Sequence, residues 1–156
     1  MTEALPTVND LHTTALRTFV LEGPDVWATE YGDVLEGDAA RGFSFLLYHA
    51  LATAARDKFS PTYSNGQIIR YVADLRTSLP DDARNLNPRV AEGLIRWVLG
   101  DATLDDAPPF GTDQMTVIGI ELILLVALIT EAGLDDEGIE DLIREAATAA
   151  REASGT

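Results

Sequence analysis

Between Asp113 and Ala132 the chain runs DQMTVIGIELILLVALITEA, and from Met115 to Ile129 only Thr116, Gly119 and Glu121 interrupt a series of Met, Val, Ile, Leu and Ala. A helix of this composition has no face polar enough to be left in water, so the other segments must cover it. The run predicts a buried central helix over 113–132. Its apolar core of about 15 residues contains Glu121 and falls short of the roughly 20 that a bilayer span requires. A membrane-spanning reading is therefore rejected.

The flanking sequence divides into further helices at recognisable stops and starts. Asn9 or Asp10 can cap a helix through Glu22, with Leu11, Ala15 and Phe19 on one stripe. Gly23 and Pro24 break it, and Pro24 suits the first turn of a second helix carrying Trp27, Tyr31, Val34 and Leu35 as far as Gly37. Asp38 opens a long helix to about Phe59, rich in Phe, Leu and Ala and expected to pack against the central helix. Ser64 and Gln67 form the pattern of a capping box ahead of Ile68, Val72, Leu75 and Leu79. Asn87 and Pro88 start a helix with Val90, Ala91, Leu94, Ile95 and Val98 on its core stripe, and Gly100 stops it.

Residues 101–112 read as a loop. Gly133 caps the central helix, and Asp135, Asp136 and Glu137 crowd the first turn of a last helix, where negative charge favours the helix dipole. This last helix, with Ile139, Leu142, Ile143, Ala146 and Ala150 on one stripe, is expected to fold back on the central one as a tight hairpin. The expected fold is thus all-α: a single-domain bundle of about seven helices spanning 1–156, with loose ends at 1–8 and 154–156. Phe43, Leu47, Leu51, Ile118, Leu122, Leu125 and Ile129 should lie deepest.

Charge limits the partners. The chain of 156 residues carries 26 Asp and Glu against 11 Lys and Arg, a formal net charge of -15, and Lys58 is its only lysine. An apolar fraction of 46% places those charges on a folded surface rather than in a disordered chain. Such a surface repels nucleic acid and anionic membranes and attracts a basic protein partner. The run from Glu22 to Asp38 holds six acidic residues and no basic one. The same balance fits a salt-adapted protein, whose melting temperature would rise steeply with molar salt. There is no cysteine, and MTEALPTVND has neither the basic nor the apolar region of a secretory signal, so a cytoplasmic setting is the expectation.

Chemistry-bearing residues are few. Glu121 has Val117, Ile118, Leu124, Leu125 and Leu128 for helical neighbours, and an unpaired carboxylate there is costly. The commoner solution is a structural ion pair or hydrogen bond, with Arg70, Arg96, His49 or Tyr48 as partners. The alternatives are a carboxyl held protonated for chemistry or ligand binding, and a symmetric homodimer contact. Arg70 and Arg96, each beside an aromatic residue, could together clamp a carboxylate or phosphate of a small ligand, or cover apolar surface with their stems.

His12 and His49 occur in no zinc or di-iron pattern. Asp105 and Asp106, with Asp101, could meet a hard cation but lack the ligand order of a calcium loop. No nucleophile elbow, phosphate-binding loop or dinucleotide fingerprint occurs. The sequence thus predicts no catalytic residue, metal or cofactor, and favours a small acidic interaction or regulatory domain; the competing expectation is a helical ligand-binding protein or enzyme around Glu121, Arg70 and Arg96.

Overall fold

A computed structural model describes residues 8–59, 63–79, 86–100 and 113–153. Its elements are α1 (Asp10–Glu22), α2 (Pro24–Tyr31), α3 (Asp38–Phe59), α4 (Asn65–Ser78), α5 (Pro88–Val98), α6 (Gln114–Ala132) and α7 (Asp136–Ala153), with no strand among the described residues. The all-helical architecture follows from the periodicity, and most helix ends lie where the capping residues place them. The Ser64 hydroxyl and the Gln67 side chain bond each other's backbone N–H groups at 3.2 and 2.8 Å. The Asn87 carboxamide accepts from Arg89 N at 3.0 Å, and the Asp113 carboxylate from Thr116 N at 2.7 Å.

α1 starts on a less obvious box. Asn9 Oδ1 accepts from Leu11 N, while His12 takes the reciprocal role: its Nδ1 accepts from the Asn9 N–H, and Nε2 lies 3.0 Å from the Ala39 carbonyl. One buried imidazole thus both caps α1 and ties it to the start of α3. With Nδ1 accepting, Nε2 carries the proton that is donated to Ala39. Burial lowers the His12 pKa, the Ala39 bond opposing it.

The helix around which the others pack is α3. It lies against α1, α5, α6 and α7, and Leu46, Leu47, Ala50, Leu51 and Ala55 are fully buried along it. This corrects the expectation that α6 occupies the centre. α6 packs chiefly on α3 and α5; Val117, Ile120, Leu122, Leu124, Leu125, Leu128 and Ile129 are buried, but Ile118, Ile123, Val126 and Ala127 are only half-buried. Ile118 therefore leaves the set of deepest residues, whereas Phe43, Leu47, Leu51, Leu122, Leu125 and Ile129 remain in it.

α3 wins the central place because its small side chains let other helices approach from several directions. Ala50, Ala52 and Ala55 on α3 and Ala146, Ala147 and Ala150 on α7 are all buried. α7 accordingly lies against α3 and α1, and not chiefly against α6 as a tight hairpin would require. The joint itself forms as expected: Gly133 adopts φ 68°, its N–H bonds Thr130 O, and Leu134 N bonds Ile129 O. A residue with a Cβ is disfavoured in this left-handed conformation.

α2 is shorter than its apolar pattern implies. It ends at Tyr31, with Gly32 as its C-cap, so Val34 lies outside the helix and is exposed. Trp27 holds the segment down, its ring 5.7 Å from Phe19 and 5.6 Å from Phe43. Val8, expected at the end of a loose tail over 1–8, is instead buried in the core; the rest of that tail, the end at 154–156 and the loop at 101–112 lie outside the described residues.

Candidate functional site

The half-covered side of α6 is the wall of a groove. Ile123, Val126, Ala127 and Thr130 form one face; Tyr71, Asp74, Leu75 and Ser78 on α4, with Leu79 just past its end, form the other. Phe19 and Val20 near the end of α1, with Gly23 and Pro24, close one end of a volume of about 710 Å³ that Lys58, Leu122 and Glu131 also line. The groove exists because α4 packs chiefly on α5 and α6 on α3 and α5, so the two walls are held apart by their common neighbour. An apolar composition on nearly every side of α6 required a cover, and the described helices supply it on one side only.

Polar groups gather where the walls meet the end of α3. The Tyr71 hydroxyl donates to Glu131 Oε2 at 2.6 Å, and Lys58 Nζ lies 3.8 Å from Glu131 Oε1 and 5.7 Å from the centre of the Tyr71 ring. Burial, and then the bond to Glu131, push the Tyr71 pKa far up, so the phenol remains a donor at physiological pH. Phe59 stacks edge-on to the same ring at 5.5 Å, fixing Tyr71 from α3. The exposed Lys58–Glu131 pair contributes at most about 1 kcal/mol; its role is to define charge at the groove mouth. Asp74 is exposed on α4, and the exposed Glu22 and Asp25 flank Gly23 and Pro24 in the chain.

The residues singled out from the sequence lie elsewhere and apart. Glu121 occupies the inward face of α6, opposite the groove, with Val117, Leu124, Leu125 and Leu128 along that face, and is 3% exposed. Among the described residues no hydrogen bond or ion pair reaches its carboxyl, and burial alone pushes its pKa up to about 8. The expected structural pairing with Arg70, Arg96, His49 or Tyr48 is not formed. The carboxyl is neutral at pH 7 instead, because desolvation disfavours the charged form and no opposite charge offsets it.

Arg70 is exposed on α4, and Arg96 is half-buried on α5 beside Glu92. His49 lies on α3 with its ring 4.9 Å from Phe45 and 5.0 Å from Tyr48; Tyr48 in turn meets Trp97 of α5 at 4.6 Å. His49 Nε2 is buried without a hydrogen-bond partner among the described residues, and burial, then the Arg56 charge, lower the His49 pKa. Glu121, Arg70, Arg96 and His49 line neither the groove between α4 and α6 nor a smaller concavity between α1 and α7. Asp105 and Asp106 lie outside the described residues.

A second, smaller concavity of about 180 Å³ lies between α1 and α7. Arg17 there makes a two-pronged pair with Glu140, Arg144 bonds Asp141 at 2.7 Å, and the Arg151 Nε donates to Val8 O at 3.3 Å. The Arg17–Glu140 pair joins the two helices, the Arg151 bond ties α7 to the residues ahead of α1, and the Arg144–Asp141 pair lies within α7.

No helix among the described residues is long and apolar enough to cross a membrane. Comparison with protein families, with curated proteins and with solved structures returns no match to this chain. The class of protein is therefore set by architecture alone: an acidic all-α bundle in which the described residues leave an apolar flank open between α4 and α6.

Proposed function

We propose that the chain is an acidic interaction domain that binds a basic protein partner. The observation that carries this reading is the stretch around α2: Glu22, Asp25, Glu30, Asp33, Glu36 and Asp38 are all exposed with no basic residue between them in the chain, and among the described residues only Asp38 meets a cation, the exposed Arg41 at 3.7 Å. Carboxylates so placed repel one another and contribute little to stability, but they raise the encounter rate of a positively charged partner. A net charge of -15 extends that attraction over the rest of the surface. The competing reading, a ligand site around Glu121, Arg70 and Arg96, has the neutral carboxyl of Glu121 in its favour, but Arg70 is exposed on α4 and none of the three lines the groove between α4 and α6 or the concavity between α1 and α7.

The test is affinity capture at low salt, identification of the retained proteins, and association kinetics of the purified partner with the chain and with a Glu30→Gln, Asp33→Asn, Glu36→Gln variant. Neutralisation should slow association and flatten its salt dependence while leaving dissociation less affected. Capture of no basic protein, or kinetics indifferent to the substitutions, would defeat the reading.

A further inference from the structure

Resting on that reading, we infer that the groove between α4 and α6 receives an amphipathic helix with basic flanks, the helix supplied by the partner. Three features of the groove select this occupant.

The first is shape. Ile123, Val126 and Thr130 recur at i, i+3 and i+7 on α6, and Tyr71, Leu75 and Ser78 recur at i, i+4 and i+7 on α4. Two turns of each helix thus line a trough about 10 Å long at 1.5 Å per residue. A helix presenting apolar residues at i, i+3 or i+4, and i+7 matches that length.

The second is openness. Asp74, Ser78, Thr130 and Glu131 are exposed, and Ile123, Val126 and Ala127 are half-buried, so the trough is uncovered along its side. A volume of about 710 Å³ would also suit a small molecule, but such ligands are usually enclosed over most of their surface. A trough open along its side instead leaves the polar face of a docked helix in water.

The third is charge. Among the described residues that line the groove, Asp74 and Glu131 stand against one cation, Lys58, and the exposed Glu22 and Asp25 adjoin it. Cationic flanks on the incoming helix meet carboxylates on both sides, whereas an anionic amphiphile meets net repulsion. Tyr71 and Glu131, already bonded to each other, hold two facing positions of the trough in place before the helix arrives.

The experiment uses two synthetic 18-residue peptides of identical leucine and lysine content. In one the leucines fall on a single helical face; in the other they are scrambled. Binding to the full chain is followed by calorimetry at moderate salt. The amphipathic peptide should bind at least ten-fold more tightly than the scrambled one. Ala127→Phe, which fills the trough without removing a core contact, should erase that preference. Val126→Ser should reduce it, with thermal melts confirming that both variants fold. Asp74→Asn with Glu22→Gln should weaken both peptides by a similar factor.

Equal, salt-sensitive binding of the two peptides would overturn the groove assignment and leave the charge-based reading standing. A preference that survives Ala127→Phe would also overturn the assignment. Failure of both peptides to bind would overturn the assignment and the reading on which it rests.

Discussion

Replacing Glu121 by Gln should stabilise the protein at neutral pH. The carboxyl is buried without a partner among the described residues, and burial pushes its pKa up to about 8 from an ordinary 4.5. In the folded state it stays protonated through pH 7, while in the unfolded chain it ionises above pH 4.5. The unfolded state is therefore favoured progressively as pH rises through that window, by about 1.4 kcal/mol per pH unit. At pH 7 the cost is about 3 kcal/mol, and it levels off near 5 kcal/mol above pH 8. That is a substantial share of the roughly 5–15 kcal/mol that holds a domain together.

Gln keeps the shape and remains neutral in both states, so it removes the pH-dependent cost while retaining the pH-independent cost of a buried polar group. The assay is urea unfolding of the native chain and the variant from pH 5 to pH 8.5, read as the difference between the two at each pH. Subtraction cancels the other titrating groups, including His12 and His49, both of which burial shifts downward. The difference should grow in favour of Gln across the window and flatten beyond pH 8. A difference constant with pH, or one that grows in favour of the native chain, would refute the reasoning, the latter because it is the signature of a paired carboxylate.

Further outcomes follow from burial and backbone geometry. Leu125 is 1% exposed on the packed face of α6, so Leu125→Ala should cost about 2–5 kcal/mol in urea denaturation; a loss below about 1 kcal/mol would place that face at the surface. A Cβ added at Gly119 meets nothing within 4 Å, and Gly119→Ala in the interior of α6 should raise stability by about 0.5–1 kcal/mol, seen as a higher melting temperature. Gly133→Ala should lower it by about 1 kcal/mol, because φ is +68° there although the space is open. Ser64→Ala should cost about 1 kcal/mol by removing one half of the α4 capping box.

The helices were legible in the sequence because the signals that begin and end them act within about four residues. Asn87, the Ser64 and Gln67 pair, Asp113 and Gly133 each satisfy or redirect backbone groups of their own helix, and no distant contact is needed to place them. The one end misplaced, that of α2, follows the same rule: Gly32 closes the helix locally, and the apolar spacing of Val34 and Leu35 suggested a continuation that the backbone does not make.

Tertiary structure decided which face of each helix is covered. Apolar residues surround most of α6, so its pattern contains no direction, and only the positions of α3 and α5 leave Glu121 inside and Ile123, Val126 and Ala127 beside the groove. α3 became central because its alanines admit α7 closely, a property of two surfaces meeting rather than of either stripe alone. For the same reason the pairing expected of Glu121 did not form. The arginines named for it belong to helices whose placement the periodicity of α6 does not contain, and a carboxyl left without them lowers its own cost of burial by keeping its proton.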